Sequence, residues 1–542
     1  MRLFTIVMIA ILQAGALAAG PLEKARANGS QANEALVRSK KVVDAWMARR
    51  SPKTGLLPRR GNDANWYIRD SAADLYPFLA LCASRLEPQR FRGEMMEILR
   101  DEVRHSTRVG WLSDNVKKKG GFEHKKIDKD RIIFGSCEYA KDGLLPLVEY
   151  LNHPAFYDRL TGIAEDMIDQ SPYSGKFGRL PSQSAEVNGE FLQVLSRLAW
   201  RTNDPWYVDN ALKIADFYFK QVIPSCGGLP ADVWNISTGK PVRNKFLFSD
   251  HGNEIAGGLS ELVLYLVEND HPRAGEYVQP LADLIDRLLE VGLNSDGLWI
   301  MSTKLDGTPT DTLHAHCWGY MFNAVYTTYL VTEDEKYLAA VECALEAVTE
   351  KPTYLDDPEG GGRNWGSNAY SDAIESAIVF FNRLPDEHLE AVMDSAVARF
   401  LGRQQASGIV EDWYGDGNYV RTAMMYALMK SQGCWLDTWR QDVALGASLE
   451  DDDVLVLAVE SATPWSGVVH FDYPRHREHW NMSINYPRLN EWPEWFTVER
   501  NKLYEVAIKG QDSKIYSGQQ LVDGLSVSTG TMQVLEVRVE EM

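Results

Sequence analysis

Cysteine is sparse and scattered. Cys82, Cys137, Cys226, Cys317, Cys343 and Cys434 are spread over 542 residues with no Cys-x-x-Cys pair. That excludes a disulfide-stapled scaffold, which a chain of this length does not need. Most read as core residues; one disulfide after export is compatible with the sequence, but nothing in the spacing pairs any two of them. Long apolar runs are also missing after the first dozen residues, so no later segment can cross a bilayer as a helix. Positive charge is short as well: 56 Lys and Arg against 76 Asp and Glu leave a net charge of −20. That excess repels phosphate backbones and anionic lipid, which argues against nucleic acid and membrane surfaces as partners. It leaves room for an acidic ligand, because a local group of Arg and His can hold a carboxylate inside an acidic protein.

Aromatic residues are plentiful, with 16 Trp and 23 Tyr. Indole and phenol rings line sugar clefts, where the apolar face of a pyranose lies on the ring, and they also fill large cores. Composition does not separate these two uses. The first residues are more specific. Arg2 precedes the largely apolar stretch Leu3 to Leu12, and Ala16-Leu17-Ala18 follows with small residues at cleavage spacing. This three-part pattern predicts a secretory signal peptide over residues 1–19, cut after Ala18 or Ala19, and hence a secreted or periplasmic protein. A buried N-terminal helix has no use for a lone positive charge before its apolar run.

From residue 30 to 437 one rhythm repeats. A loop rich in Gly, Asn, Asp and aromatics leads into a helix that is apolar nearly all round, as at Ala72 to Ser84, Glu190 to Trp200, Asn253 to Val267 and Met321 to Val331. Helices of that kind are buried on every side. A turn follows, then a more amphipathic helix such as Val208 to Gln221 or Glu335 to Thr349. The repeat is roughly 50–70 residues, which suits helical hairpins with long loops. Six or seven hairpins fit, and closing them in a ring predicts a mainly α fold, an (α/α)6–7 toroid with a cleft at the loop end. After Gln432-Gly433 the pattern changes. Val454 to Val459, Val468 to Phe471, Leu503 to Lys509 and Met532 to Val539 read as strands punctuated by prolines, so residues 438–542 are expected to form a small β-sandwich domain.

Chemistry-bearing residues gather where loops meet the apolar helices. Asn65-Trp66-Tyr67-Ile68-Arg69-Asp70 sets an aromatic pair, a cation and a carboxylate before a helix; Asp70 alone would serve as an N-cap, but Trp66 and Arg69 are not needed for that. Glu186 and Glu190 stand four apart on one helical face. Ser249-Asp250-His251-Gly252-Asn253-Glu254 holds a capping pattern plus a histidine that capping leaves unexplained. His314-Ala315-His316-Cys317 raises the question of zinc, but no second pair at metal spacing accompanies it, and neither a metal nor a cofactor is expected. Arg363 to Glu375, with Trp365, Tyr370 and Asp372, follows three glycines, and Glu411 to Asn418 precedes Arg421. Acidic residues at helix starts are ordinary taken singly. Several successive loops carrying a carboxylate or His beside Trp, Tyr, Asn or Arg are less so, because a ring brings them to one end. Glycosidic cleavage asks for such a set, one carboxyl to protonate the leaving oxygen and one as base or nucleophile.

Cys317-Trp318-Gly319-Tyr320 to Tyr329, followed by Thr332-Glu333-Asp334-Glu335-Lys336-Tyr337-Leu338, resembles the inner-to-outer hairpin of unsaturated glucuronyl hydrolases and related members of the six-hairpin glycosidase superfamily. Ser371-Asp372-Ala373-Ile374-Glu375-Ser376-Ala377-Ile378 resembles the acidic start of the next inner helix, and Glu186 falls in a hairpin like the one where those enzymes carry a catalytic Asp. The resemblance spans roughly residues 50–435 and implies a toroid that cleaves glycosidic bonds, with uronic-acid-bearing glycans among its substrates. Those hydrolases do not usually carry a C-terminal β-domain; a helical toroid followed by a β-sandwich is similar instead to several uronate polysaccharide lyases.

Three functions follow. The first is a glycoside hydrolase acting on a carbohydrate, with Asp372, Glu186 and Asp70 as the catalytic carboxylates and Asp372 or Glu186 as general acid. Trp66, Arg69, His251, Glu254, His316, Tyr320, Trp365, Tyr370 and Arg421 would bind the sugar. The second is a uronate lyase, with Tyr320 or Tyr370 as acid/base, His251 or His316 assisting, and Arg363 or Arg421 neutralising the carboxylate. The third is a glycan-binding protein without catalysis. The polar, aromatic stretch Asp472 to Arg477, with Asn485 to Glu491, is too unlike a sandwich edge to belong only to the β-domain; it is expected to pack on the toroid or reach its cleft.

Overall fold

Helices that are apolar on every face are stable only between other helices, and here they stand side by side in a closed ring. The structure, a computed structural model, describes residues 20–249, 251–356, 366–450 and 453–542. The signal-peptide stretch 1–19 and the candidates Trp365, Arg363 and Asp250 lie outside the described residues. Fourteen main helices of the described residues alternate between an outer and an inner layer. The outer ones are α1 (Pro21–Met47), α3 (Met96–Ser106), α5 (Pro154–Asp169), α7 (Pro205–Phe217), α9 (Val278–Gly292), α11 (Glu335–Glu350) and α13 (Glu387–Gly402). The inner ones are α2 (Tyr76–Leu86, entered through a wider π-turn Ile68–Leu75), α4 (Lys129–Glu138, continued by a π-turn Tyr139–Leu144 and by Leu145–Leu151), α6 (Ala185–Thr202), α8 (Asn253–Glu268), α10 (Trp318–Thr332), α12 (Ser367–Phe381) and α14 (Gly415–Lys430). Inner neighbours touch in chain order, and α14 closes the ring against α2. The toroid therefore has seven hairpins.

The boundaries follow local chemistry. Asp204, Asp334 and Asp386 each cap an outer helix by accepting a backbone N–H, and so satisfy donors that a helix start leaves unpaired. In α14 every residue from Gly415 to Lys430 is buried. The six cysteines stand as free thiols, five of them buried. No helix among the described residues is long and apolar enough to cross a membrane.

Beyond α14 the chain builds two antiparallel sheets. Strands β1 (Val443–Leu449), β2 (Leu455–Ser461), β3 (Trp465–His470), β4 (Leu503–Ile508), β5 (Lys514–Ser517), β6 (Leu525–Thr529) and β7 (Val534–Glu541) are arranged as β1-β2-β7-β4-β5 in one sheet. In the other, the short strand Trp435–Leu436 pairs with β3, which pairs with β6. Side chains of both sheets share one apolar cluster that includes Val443, Leu457, Val469, Val506, Val527 and Val537. Between β3 and β4 the chain leaves the sheets. Residues 472–495 form a strap that runs back under the ring, and Trp480, Met482, Tyr486, Leu489 and Trp492 belong to the helical core.

The strap is bound by charge as well as by apolar burial. Arg488 meets Glu149 at 3.0 Å and Arg383 meets Glu491 at 2.6 Å. Tyr486 donates to Glu261 at 2.9 Å, and Arg197 also holds Glu261 at 2.9 Å. Burial pushes Glu149 up, but Arg488 overcomes that and holds its carboxyl at about 2. Removing one member of such a pair strands a buried charge, which costs about 3–5 kcal/mol.

Helix α1 lies across β1, the edge strand of the larger sheet, and covers the open backbone groups that would otherwise invite pairing with another chain. Asn28 donates to the Ala447 carbonyl at 2.8 Å. The approach is closest at Gly29 and Gly446, where a Cβ on Gly446 would sit 2.0 Å from the Gly29 nitrogen and 2.2 Å from the Ala25 carbonyl. Gly446→Ala is therefore expected to lower stability by about 1–3 kcal/mol, as overpacking does in a filled core. Chemical denaturation of the two proteins measures it, and an unchanged midpoint would show that α1 is not pinned there.

Candidate active site

The inner helices run in one direction around the ring, and Asp74, Glu190, Glu254 and Asp372 near their N-terminal ends face one shared cavity. That end of a helix favours anions. An axial cavity of about 280 Å³ opens there, walled by Arg69, Asp74, Glu138, Lys141, Asp142, Glu190, His251, Glu254, Tyr320, Asp372 and Arg421 among others. Asn368, Trp413, Tyr414 and Asn418 complete its rim, and Asn490 of the strap reaches it as well. The Trp413 and Tyr414 rings lie with centroids 4.4 Å apart, and so put an aromatic surface at the cavity.

Two walls differ in character. On one, α10, α12 and α14 meet. The Tyr320 hydroxyl lies 2.8 Å from both Asp372 Oδ1 and Glu375 Oε2, and Arg421 reaches Asp372 at 2.9 Å and Glu375 at 2.7 Å. His316 stands 3.4 Å from the other Asp372 oxygen. Burial lifts Glu375 to about 7 against the pull of Arg421, while Asp372 pushes the same way as burial. On the other wall, α2, α4, α6 and α8 contribute carboxylates at four-residue spacing: Asp70 and Asp74, Glu138 and Asp142, Glu186 and Glu190, with Glu254 beside them. The π-turns of α2 and α4 fall on Asp70, Asp74, Lys141 and Asp142, where the wider winding re-aims side chains, as at many functional sites. Gly189 and Gly258 let α6 and α8 come together until an added Cβ on Gly189 would lie 2.2 Å from the Glu254 carbonyl carbon. Lys141 bridges Asp142 at 2.8 Å and Glu254 at 2.9 Å. Burial, with the neighbouring carboxylates adding to it, pushes Asp74 and Glu190 well above the usual carboxylate range; burial does the same to Glu138 despite Arg69.

The residues expected from the sequence divide accordingly. Asp372, Tyr320 and Arg421 form one buried group at the cavity, with His316 against Asp372. Arg69 lines the cavity, meets Glu138 at 3.4 Å and stacks on Phe134. Glu254 is buried, held by Lys141 and by Gln193 at 2.6 Å. His251, at φ 82° and 48% side-chain exposure, pairs with Glu186 at the cavity edge. Glu186 and His316 stand one contact away from it, through His251 and Asp372, and Asp70, Trp66 and Tyr370 do not line it. Asp70 is buried beside the cavity wall, where Arg59 donates to it at 3.3 Å, and its neighbour one turn on, Asp74, takes the cavity position. Trp66 is 3% exposed, sits in a two-residue strand against Val116 and belongs to the core, which corrects the expectation that it binds sugar. Tyr370 carries Arg403 over its ring at 4.5 Å and does not line the cavity, so the structure gives it no contact with a ligand there. Asp74, Glu138, Lys141 and Asp142 were not anticipated. The signal was available: paired carboxylates four apart inside helices that are otherwise apolar.

No family model matches the chain, and no curated protein matches it. Solved structures similar to it include cellobiose 2-epimerase from Bacillus thermoamylovorans B4167, at 12% identity over 58% of this chain and 87% of that one with a TM-score of 0.41. The GH76A α-1,6-mannanase of Salegentibacter sp. HEL1_6 is similar at 14% identity over 61% and 97%, with a TM-score of 0.42. The family 105 glycoside hydrolase of C. acetobutylicum ATCC 824 is similar at 12% identity over 58% and 82%, with a TM-score of 0.36. These neighbours are of the six-hairpin glycosidase fold.

Glu375 gives a pH dependence with a definite sign. Its carboxyl keeps a proton in the folded chain up to about 7, whereas the unfolded chain releases it near the ordinary value of 4.5. Between those limits the folded state binds more protons, so stability falls as pH rises through that window. The melting temperature of the ligand-free protein is expected to drop from about pH 5 to about pH 7, and Glu375→Gln to flatten part of that slope. Parallel profiles for the two proteins would remove Glu375 from the account.

Proposed function

We propose that this protein is a carbohydrate-processing enzyme acting outside the cytoplasm, a glycoside hydrolase whose carboxylates work across the axial cavity on a glycan without an obligatory uronic acid. The observation that carries the reading is the buried Asp372–Tyr320–Arg421–Glu375 group on one wall, facing a cavity whose opposite wall is also carboxylate. Hydrolysis of a glycosidic bond needs one carboxyl that gives a proton and another that acts as an anion. Asp372, with Arg421 at 2.9 Å and the Tyr320 hydroxyl at 2.8 Å, suits the anion, as base or nucleophile. Glu186 is assigned the donor role on its place beside His251, which lines the cavity and is half exposed. Trp413 and Tyr414 offer a stacking surface, and Asn368, Asn418 and Asn490 offer amides for hydroxyls.

The charge balance favours a neutral sugar over a uronate. The three cations that line the cavity among the described residues are each engaged: Arg421 with Asp372 and Glu375, Lys141 with Asp142 and Glu254, Arg69 with Glu138. A lyase must neutralise the substrate carboxylate, and these contacts leave that task without a dedicated cation.

The test is incubation of the protein with neutral and uronic-acid polysaccharides, reading reducing ends and ultraviolet absorbance together. New reducing ends without absorbance are expected on neutral glycans. Asp372→Asn and Glu186→Gln are each expected to lower kcat by about 10²–10⁴-fold while leaving the fold intact. Rising absorbance on a uronate polymer would replace the hydrolase with a lyase centred on Tyr320.

A further inference from the structure

The carboxylate wall holds a second feature that hydrolysis does not use. Glu138, Asp142 and Glu190 each present an oxygen, and these oxygens all lie within 4.8 Å of one another. Two oxygens bound to one calcium ion at about 2.4 Å each can be no farther apart than that. The three side chains come from two rigid inner helices, Glu138 and Asp142 from α4 and Glu190 from α6. Their protein partners do not exhaust them. Arg69 reaches Glu138 at 3.4 Å, beyond strong hydrogen-bond range. Lys141 at 2.8 Å and Asn490 at 2.5 Å both meet the same oxygen of Asp142, Oδ1.

Glu190 supplies the independent sign. Its side chain is 2% exposed, lines the cavity, and its Oε2 has no hydrogen-bond partner; the nearby Cys137 thiol, a weak donor, is directed at the Val187 carbonyl at 3.4 Å. A carboxylate oxygen buried without a donor is costly, so either a proton or a cation must stand against it. A proton satisfies one carboxyl. It does little for three that converge on one point, with Glu186 and Glu254 alongside and Lys141 already shared between Asp142 and Glu254.

We propose that Glu138, Asp142 and Glu190 bind one divalent cation of the hard, oxygen-seeking class, for which Ca²⁺ is the first probe. The all-carboxylate donor set selects against soft metals, which favour Cys and His. The site is separate from His314-x-His316, where zinc has no supporting ligands in the sequence. It lies next to the catalytic acid of the reading above, because Glu138 also falls within 4.8 Å of Glu186 and His251. Binding is nonetheless read without substrate, so this inference can fail while the hydrolase stands, and the reverse.

The experiment uses the full chain stripped with a chelator and dialysed, then titrated with Ca²⁺, and in parallel with Mg²⁺ and Mn²⁺, by calorimetry and by thermal unfolding near neutral pH. One ion per chain is expected, with a rise of several degrees in melting temperature. Glu190→Gln and Asp142→Asn are each expected to weaken binding at least tenfold. In chelator the Glu190→Gln protein is expected to melt at or above the parent, because a neutral amide replaces a buried carboxylate that lacks a donor. Absence of heat and of a melting shift with all three cations up to the millimolar range would overturn the proposal and leave the group held by protons. Undiminished binding in both variants would overturn it too, by placing the ion elsewhere.

Discussion

A carboxylate in the middle of an apolar helix must find a cation, a donor or a proton, because the interior offers no water to hold its charge. This ring sets carboxylates into the buried faces of α2, α4, α6, α8 and α12, and nearly everything distinctive about it answers that demand. Arg421 is the largest single answer. Buried on α14, it joins two carboxylates of α12, lies near the hydroxyl of α10 at 3.4 Å and donates to the amide of Asn490 at 2.8 Å. Four elements far apart in the chain are thereby tied to one guanidinium, whose planar fork can hold several acceptors at once. Replacing that residue would disturb the wall of the cavity and the closure of the ring together.

The strap extends the same logic to the far side of the ring. A toroid of parallel helices has two ends, and the loop end must stay open to be of use. Residues 472–495 close the other with Trp480, Tyr486 and Trp492, with Arg488 on Glu149 of α4, the Tyr486 hydroxyl on Glu261 of α8, and Glu491 on Arg383 just beyond α12. Asn490 goes further. At φ 54° its backbone turns sharply, and its amide stands between Arg421 and Asp142 on the cavity floor. A residue from the β-rich part of the chain thus helps to set the two walls at a fixed separation. The sandwich is more than an appendage: its strands anchor the two ends of a segment that belongs to the helical core.

Much of the architecture was legible because it is written in local periods. Apolar helices at a 50–70-residue rhythm announce buried hairpins, and the strands from Val454 and Leu503 appear within a residue or two of where alternation puts them. The number of hairpins was legible only as six or seven, since ring closure between α14 and α2 leaves no local mark. The site was legible in part. Asp372, Tyr320 and Arg421 were expected separately and converge, but Glu375, one turn beyond Asp372, was passed over. Asp74, Glu138, Lys141 and Asp142 carry no such mark at a loop, because they lie within the helices a turn beyond the loop junctions where charged residues gather. Trp66 misled for a plain reason: an aromatic beside an arginine looks the same in sequence whether it faces a cavity or a core. Asn490 was legible only as part of Asn485 to Glu491, a segment expected to pack on the toroid or reach its cleft; its pairing with Asp142, 348 residues away, leaves no mark in the sequence.

The two walls also explain each other. Had the cavity carried as many free cations as carboxylates, it would collapse into mutual ion pairs and hold nothing. Here each cation is already committed, and carboxylates remain. Such a surplus is expensive in an empty site, and the carboxyls of Glu138, Glu190 and Asp74, pushed well above the usual carboxylate range, record that expense. Strain of this kind persists in native proteins where a ligand relieves it or chemistry draws on it. A sugar hydroxyl relieves it by donating hydrogen bonds, a leaving group draws on it by taking a proton, and a divalent cation relieves it by charge. The hydroxyls and leaving oxygen of a uronate could do the same, but its carboxylate would bring one more anion to a place already short of partners. The same electrostatic excess that makes the ring costly to close thus narrows what the ring was closed around.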